Sequence, residues 1–243
     1  MIAELKKILS STERYIRRCF VPSQQGHWFY NWIARCQTIY SKGYGPPGNI
    51  YFEFGVFEGK SLLEYISAAK RYCKKKKRSL DEFHIYVFDS FSGLPAKEVG
   101  DHHVDWKKGM FACGIEDIRS KVKKTGFPLS NLNLIPGYYA ESLTHSLRES
   151  LFKKNHIPSI VMIDCDYYSS TKTILDWLQP MLKSGTIFYF DDYWSFHGHP
   201  DYGELRAINE FNKMNQGRIL QRGCVYGLGE HTFIYSRESW EYQ

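Results

Sequence analysis

The chain has 243 residues, 43% of them hydrophobic and 24% charged, a balance that fits an ordinary soluble globular protein with one large core. The formal net charge is +6, which leaves a nucleic-acid or acidic-membrane contact open, but no apolar stretch approaches the roughly 18 residues of a membrane span. Six cysteines, at 19, 36, 73, 113, 165 and 224, include no C-x-x-C pair, so neither a zinc nor a redox motif is visible and free thiols in a reducing cytoplasm are expected.

The opening "MIAELKKILSSTERYIRR" is amphipathic and charged, without a secretory pattern. Ile2, Leu5, Leu9, Ile16 and Phe20 recur at near-helical spacing, as do Trp28, Trp32, Ile33, Cys36 and Ile39. "GYGPPGN" at 43–49 breaks the pattern. Residues 1–48 therefore read as a helical extension, serving as a lid or an oligomer contact, and 49–243 as the main domain.

From residue 49 strands and helices alternate. Strands are expected at "NIYFEFG", "FHIYVFDS", "LNLIPG", "PSIVMIDCD" and "GTIFYFDD", with helices over 60–77, 115–124, 140–154 and 170–183. That alternation predicts a parallel sheet with helices on both faces, and runs such as "SIVMI" suit burial on both sides. A helix over 204–215 then precedes "RILQRGCVYG" and "EHTFIYS", which read as a hairpin across Gly227 and Gly229. The run "KKKKR" at 74–78 fits a solvated helix end, where cations complement the macrodipole.

Ligands of open α/β sheets bind beyond the carboxyl ends of the strands. The acids and glycines here gather at such ends: Glu53 and Gly55, Asp89, Gly137, Asp164 and Asp166, Asp191 and Asp192. In "EFGVFEG" Gly55 permits a tight turn and Gly59 a close approach, but the spacing is not G-x-G-x-x-G and Phe57 crowds the place of a pyrophosphate. A nucleoside ligand without phosphates, S-adenosylmethionine, suits it better, although a glycine turn here can be purely structural. Asp89 is placed to accept from ribose hydroxyls, with Ser90 and Phe91 beside the sugar and base.

Asp164, Asp191 and Asp192 end two strands, and three close carboxylates repel unless a cation or protons intervene. Oxygen ligands favour magnesium, calcium or manganese over zinc; the alternative is that these acids cap helices and bond backbone amides. Asp166 stands open between proton acceptor, ligand partner and structural residue. His197, in "SFHGH", is a candidate general base, though such histidines are often plain loop residues.

In this order, "FEFGVFEGKS", "VFDSFSGLP", "GMFACGIEDIRSKV", "LIPGYYAESL", "IDCDYYSST" and "IFYFDDY" resemble the macrocin and mycinamicin sugar O-methyltransferase family, over roughly residues 50–211. The resemblance implies a Rossmann-like class I methyltransferase: a seven-stranded, mostly parallel sheet with a C-terminal antiparallel hairpin. It implies S-adenosylmethionine bound by Glu53, Gly55, Gly59, Ser61, Asp89 and Ser90, with Asp164 at the reacting end. It implies Mg2+ held by Asp164, Asp191 and Asp192 together with substrate hydroxyls. Asp164, Asp166 and His197 are the candidate catalytic residues.

Two departures stand out. Tyr167 occupies the position where related catechol-type enzymes carry a lysine, and "GELRAINEF" replaces a "GCRRAVDDF"-like stretch. The expected activity is Mg2+-dependent methylation of a hydroxyl on a sugar or glycosylated small molecule, by a homo-oligomer in the cytoplasm. A hydroxylase-like or other natural-product tailoring enzyme on the same sheet is the alternative, ahead of a nucleic-acid methyltransferase.

Overall fold

The computed structural model describes residues 24–103, 105–214, 217–221 and 231–237. The expected helix before residue 24, Cys19, Cys224 and the hairpin turn at Gly227 and Gly229 lie outside them. Five parallel strands form the body of the sheet: β1 (Ile50–Phe54), β2 (His84–Asp89), β3 (Leu132–Pro136), β4 (Ile160–Ile163) and β5 (Ile187–Phe190). β6 (Gly217–Gln221) and β7 (Thr232–Arg237) pair antiparallel, and β7 also runs antiparallel to β5. The strand order is β3-β2-β1-β4-β5-β7-β6.

The period-2 pattern divides the core into two layers. Tyr51, Ile85, Val87, Ile160, Met162 and Ile187 face one layer; Phe52, Phe54, Phe88, Val161, Ile163 and Phe188 face the other. The first face is covered by α1 (Gln24–Ser41), α2 (Lys60–Lys76) and α3 (Ile115–Thr125). After a single turn, α4 (Tyr139–Ser142), the second face is covered by α5 (His145–Lys153), α6 (Tyr168–Leu178) and α7 (Gly203–Met214).

The helix expected over 140–154 is two pieces, because the Thr144 hydroxyl accepts from the Leu147 amide and starts a new helix. The helix expected over 170–183 begins earlier and stops at Leu178, where a turn containing Pro180 takes over.

α1 is part of the core. Phe29, Trp32, Ile33 and Cys36 are buried, and Phe29 meets Tyr51 and Tyr65 edge-on. These α1 side chains thus pack in the same layer as α2 and α3, on the N-terminal side of the boundary expected at 48/49. Lys74, Lys75 and Lys76 occupy the last turn of α2, which ends on Lys77 at φ 54. Arg78 pairs with Glu82 and also donates to Gln37. No helix among the described residues is long and apolar enough to cross a membrane.

Candidate active site

The strand order reverses between β1 and β4, and a cavity of about 370 Å³ opens beyond the carboxyl ends of the strands there. That volume lies within the range of small-molecule sites. Its two sides are built differently.

On the β1–β2–β3 side, Asp89 is held by the backbone. The Val56 amide donates to Oδ2 at 2.7 Å and the Phe91 amide to Oδ1 at 2.7 Å. Both loops leaving β1 and β2 are thereby fixed to one carboxylate, which still lines the cavity with lone pairs to offer. Gly55 turns at φ 84, and a Cβ there would come within 1.7 Å of the Asp164 carbonyl oxygen. Its missing side chain lets the β1 loop touch the β4 loop. Gly137, Tyr138, Tyr139 and Ala140 complete this wall, and the Ser90 hydroxyl bonds the Gly93 carbonyl at 2.7 Å.

Three residues expected at the cofactor stand one layer back. Glu53 is fully buried behind the glycine turn, and the Ser61 hydroxyl donates to it. Neither lines the cavity. Burial pushes Glu53 up to about 8 against the hydrogen bonds of Ser61 and Tyr51. A Cβ on Gly59 would meet Ile118 on α3, so its freedom serves helix packing and a φ of 81, not ligand approach.

On the β4–β5 side, Asp164, Asp166, Asp191 and Asp192 all line the cavity. Burial, then the charges of Asp191, Asp192 and Asp166, holds the Asp164 carboxyl well above the ordinary range. Asp166 is pushed up to about 7, by burial first and then by Asp192 and Asp191. It sits at φ 65, with the Tyr167 amide reaching back to the Cys165 carbonyl at 2.7 Å. Asp tolerates this left-handed geometry better than most residues, and such strain gathers at functional sites. Asp192 is raised by burial and by Asp191, while hydrogen bonds from Ser195 and the Asp166 amide and the charge of His103 pull it back. The Ser195 hydroxyl donates to its Oδ1 at 2.7 Å.

His197 is exposed on the loop after β5 and does not line the cavity. Its own turn, closed by the His197 amide on the Trp194 carbonyl at 2.8 Å, carries it outward at φ 55. The histidine whose charge reaches the acids is His103, stacked on Trp106 with ring centres 3.9 Å apart.

The segment between β2 and α3 forms the roof. Leu94 and Met110 pair through backbone bonds (Leu94 amide to Met110 carbonyl, 2.9 Å), and Trp106, Leu94 and Tyr167 make a small core. Asp101 ties the roof to α6 by accepting from the Ser169 amide at 3.0 Å and its hydroxyl at 2.8 Å. Glu98 and Trp106 of this segment line the cavity. Phe57 and Phe111 close the rim edge-on at 5.6 Å.

Sequence reasoning missed Glu204. It is fully buried at the start of α7, and neither carboxylate oxygen has a hydrogen-bond partner. Burial, then Asp192, Asp164, Asp191 and Asp166, raises it well above its ordinary range. As placed, no three His, Cys, Asp or Glu side chains among the described residues form a group ready to hold a metal ion.

A curated relative from Streptomyces olivaceus, 8-demethyl-8-(2,3-dimethoxy-alpha-L-rhamnosyl)-tetracenomycin-C 4'-O-methyltransferase, is 26% identical over 155 residues, covering 61% of this chain and 54% of the relative. The chain thus spans about half the length of that protein. The calicheamicin methyltransferase CalS11 superposes with a TM-score of 0.64 at 19% identity, over 98% of this chain and 91% of that one. The O-methyltransferase NovP does so with a TM-score of 0.56 at 16% identity, over 87% and 79%. At these identities the two structures speak for the fold alone, a Rossmann-like α/β sheet. The family model of macrocin-O-methyltransferase (TylF) matches residues 36–216, most of the sheet and both sides of the cavity, and the chain belongs to that family.

Proposed function

We propose that the protein transfers a methyl group from S-adenosylmethionine to a hydroxyl of a sugar or glycosylated small molecule, assisted by a divalent cation, Mg2+ by donor chemistry. The observation that carries this reading is the division of one cavity into a backbone-anchored Asp89 wall and a four-aspartate wall. Family membership and the Streptomyces olivaceus relative, whose printed activity is a sugar O-methylation, support the same class.

When bound, the cofactor would supply an electrophilic methyl and the cation would lower the pKa of a coordinated hydroxyl. Asp89 would accept from the ribose hydroxyls, and the 137–140 wall, which lines the same cavity, would face the base. Asp164, Asp191 and Asp192 would hold the cation. The fit is chemical: oxygen-only donors suit a hard ion, and like charges gathered on one wall call for compensation. It also carries a structural demand: as placed the carboxylates do not form a ready group, so their side chains must converge on the ion.

Asp166, raised to about 7 and facing the cavity, is the proton acceptor of the reading. The roof excludes water and orients the acceptor hydroxyl, so the protein acts mainly through position and electrostatics.

Calorimetry with S-adenosylmethionine, with and without Mg2+, tests the reading. Binding in the cavity is expected, weakened by Asp89→Asn. No binding under either condition would overturn it.

A further inference from the structure

The rim of the cavity carries two side chains that the proposed mechanism does not use. Phe57 and Phe111 both line the cavity, and their rings meet edge-on with centres 5.6 Å apart. They are 44% and 38% exposed, whereas most other described phenylalanines are buried.

Their backbones do not favour this placement. Phe57 sits at φ 40 and Phe111 at φ 61, a region where a bulky residue is an outlier and glycine would be at ease. Each follows a residue that is tied down. The Val56 amide donates to Asp89 at 2.7 Å, just before Phe57. The Met110 carbonyl accepts from the Leu94 amide at 2.9 Å, just before Phe111, and a Cβ on Gly93 would come within 2.4 Å of that carbonyl oxygen. Two separate loops are thus pinned so that two strained, exposed phenyl rings meet at the mouth. Strain of this kind persists where the surroundings over-determine it, and it gathers at ligand clamps.

The depth of the cavity is divided between Asp89 on one wall and four aspartates on the other. A hydroxyl that reaches the acidic wall leaves the rest of its molecule pointing to the mouth. The lining holds six carboxylates, Glu98 of the roof among them, and among the described residues no lysine, arginine or histidine. A diphosphate on the acceptor sugar would meet charge of its own sign there; an uncharged apolar group would meet two phenyl rings.

We propose that Phe57 and Phe111 are specificity residues that clamp an apolar aglycone, so that the acceptor is a sugar already joined to an uncharged apolar group and not a nucleoside diphosphate sugar. The proposal rests on the methyl-transfer reading above and deepens it, because it names the part of the acceptor that the rim selects. An apolar ring seated on the pair leaves water and gains aromatic contact.

The test holds the sugar constant and varies what is attached to it. Methyl α-L-rhamnoside, 4-nitrophenyl α-L-rhamnoside and thymidine diphosphate rhamnose are titrated by calorimetry into the full chain loaded with S-adenosylhomocysteine and Mg2+. Wild type should bind the nitrophenyl glycoside at least about tenfold more tightly than the methyl glycoside, and more tightly than the diphosphate. Phe57→Gly and Phe111→Gly should each reduce that preference to within about threefold. Their melting temperatures should match or exceed that of wild type, since glycine relieves the left-handed backbone. Phe57→Leu and Phe111→Leu, which keep apolar bulk without the ring, serve as the measure if a glycine variant does not fold. No preference of wild type for the nitrophenyl glycoside, or tighter binding of the diphosphate, would overturn the proposal. So would a preference kept in the variants, or a lower melting temperature as their only change, which would make the pair structural. S-adenosylmethionine affinity is read in parallel. A loss of more than about threefold in the variants would assign the rim to the cofactor and overturn the clamp alone, whereas no binding to wild type would overturn the methyl-transfer reading itself.

Discussion

The two walls of the cavity use the same residue type at the same edge of the sheet to opposite ends. Asp89 terminates β2 with both oxygens engaged by the amides of Val56 and Phe91. Its oxygens are satisfied in advance by the chain itself, and the loops that would cradle a nucleoside are tied to it. Asp164, Asp166 and Asp192 terminate or follow β4 and β5, and all three are raised, with burial the leading cause in each. The first wall is complete as folded; the second requires a proton or a cation from outside. A carboxylate at a strand end therefore announces a site, and its hydrogen bonds tell whether it builds the frame or awaits a ligand.

The sharpest way to break the comparison is at the point where the walls touch. Gly55→Ala places a methyl within 1.7 Å of the Asp164 carbonyl oxygen at a φ of 84. Backbone cannot give way there without moving β1 or β4, and the expected loss is on the order of 3 kcal/mol or more. Chemical denaturation should show it as a fall in midpoint; an unchanged midpoint would mean that the loops can separate freely.

Next in size are two substitutions that should divide the walls. Asp164→Asn should lower methyl transfer by about 100-fold or more while S-adenosylmethionine affinity changes by less than about threefold. Asp89→Asn leaves one of two backbone amides poorly paired, costing about 1–3 kcal/mol, and should weaken cofactor binding by at least about tenfold. If both variants lose cofactor affinity equally, the two walls are not separate in function.

Much of this was legible in the sequence for a physical reason. Strands buried on both faces read as apolar runs, and a run that stops on an acid marks a sheet edge; "SIVMIDCD" and "TIFYFDD" did so. The parallel sheet, its closing hairpin and the acidic wall follow from such patterns. What depends on packing was not legible. Glu204 looks like any acid in a first helical turn, favourable beside the macrodipole, and only the position of α7 buries it. Trp28, Trp32 and Ile33 show a helical stripe, but nothing in the stripe says whether it faces a partner or its own sheet. Glu53 and Ser61 keep the spacing of ligand contacts, yet Glu53 ends buried in β1 with Ser61 of α2 donating to it, and neither lines the cavity. His197 was a candidate by proximity in sequence, and its turn carries it outward.

The acidic wall also sets a pH dependence. Asp166, raised from 3.8 to about 7, binds its proton more tightly folded than unfolded. Its contribution is full below about 4 and is lost as pH rises towards 7, by up to about 4 kcal/mol in the metal-free protein. Asp166→Asn should flatten that part of the stability profile in chelator. The same variant should lower methyl transfer by about 100- to 10,000-fold and remove the acidic limb of its pH–rate profile, which should have an apparent pKa at or below about 7 because a bound cation favours the ionised form. A pH–rate profile that keeps its acidic limb in the variant would assign the proton to another group.

The opposite end of the sheet offers the smallest effect and the control. His84 and His156 lie with ring centres 4.3 Å apart, and the Tyr86 hydroxyl meets His156 Nδ1 at 2.6 Å. Burial, then His84 and Lys154, lowers His156 to about 4. A histidine held neutral in the fold contributes above its unfolded value of 6.5, and the contribution is lost as pH falls towards 4. Over the same window the raised carboxyls Asp166, Asp164, Glu53 and Glu204 pull stability the other way, so His156 only tempers the gain on acidification in the metal-free protein. His156→Gln should therefore enlarge that gain, since glutamine keeps a polar partner for Tyr86 and cannot take up a proton. Denaturation midpoints at several pH values between 4 and 7 read the change. A slope unchanged by the substitution would place the acid sensitivity elsewhere in the fold.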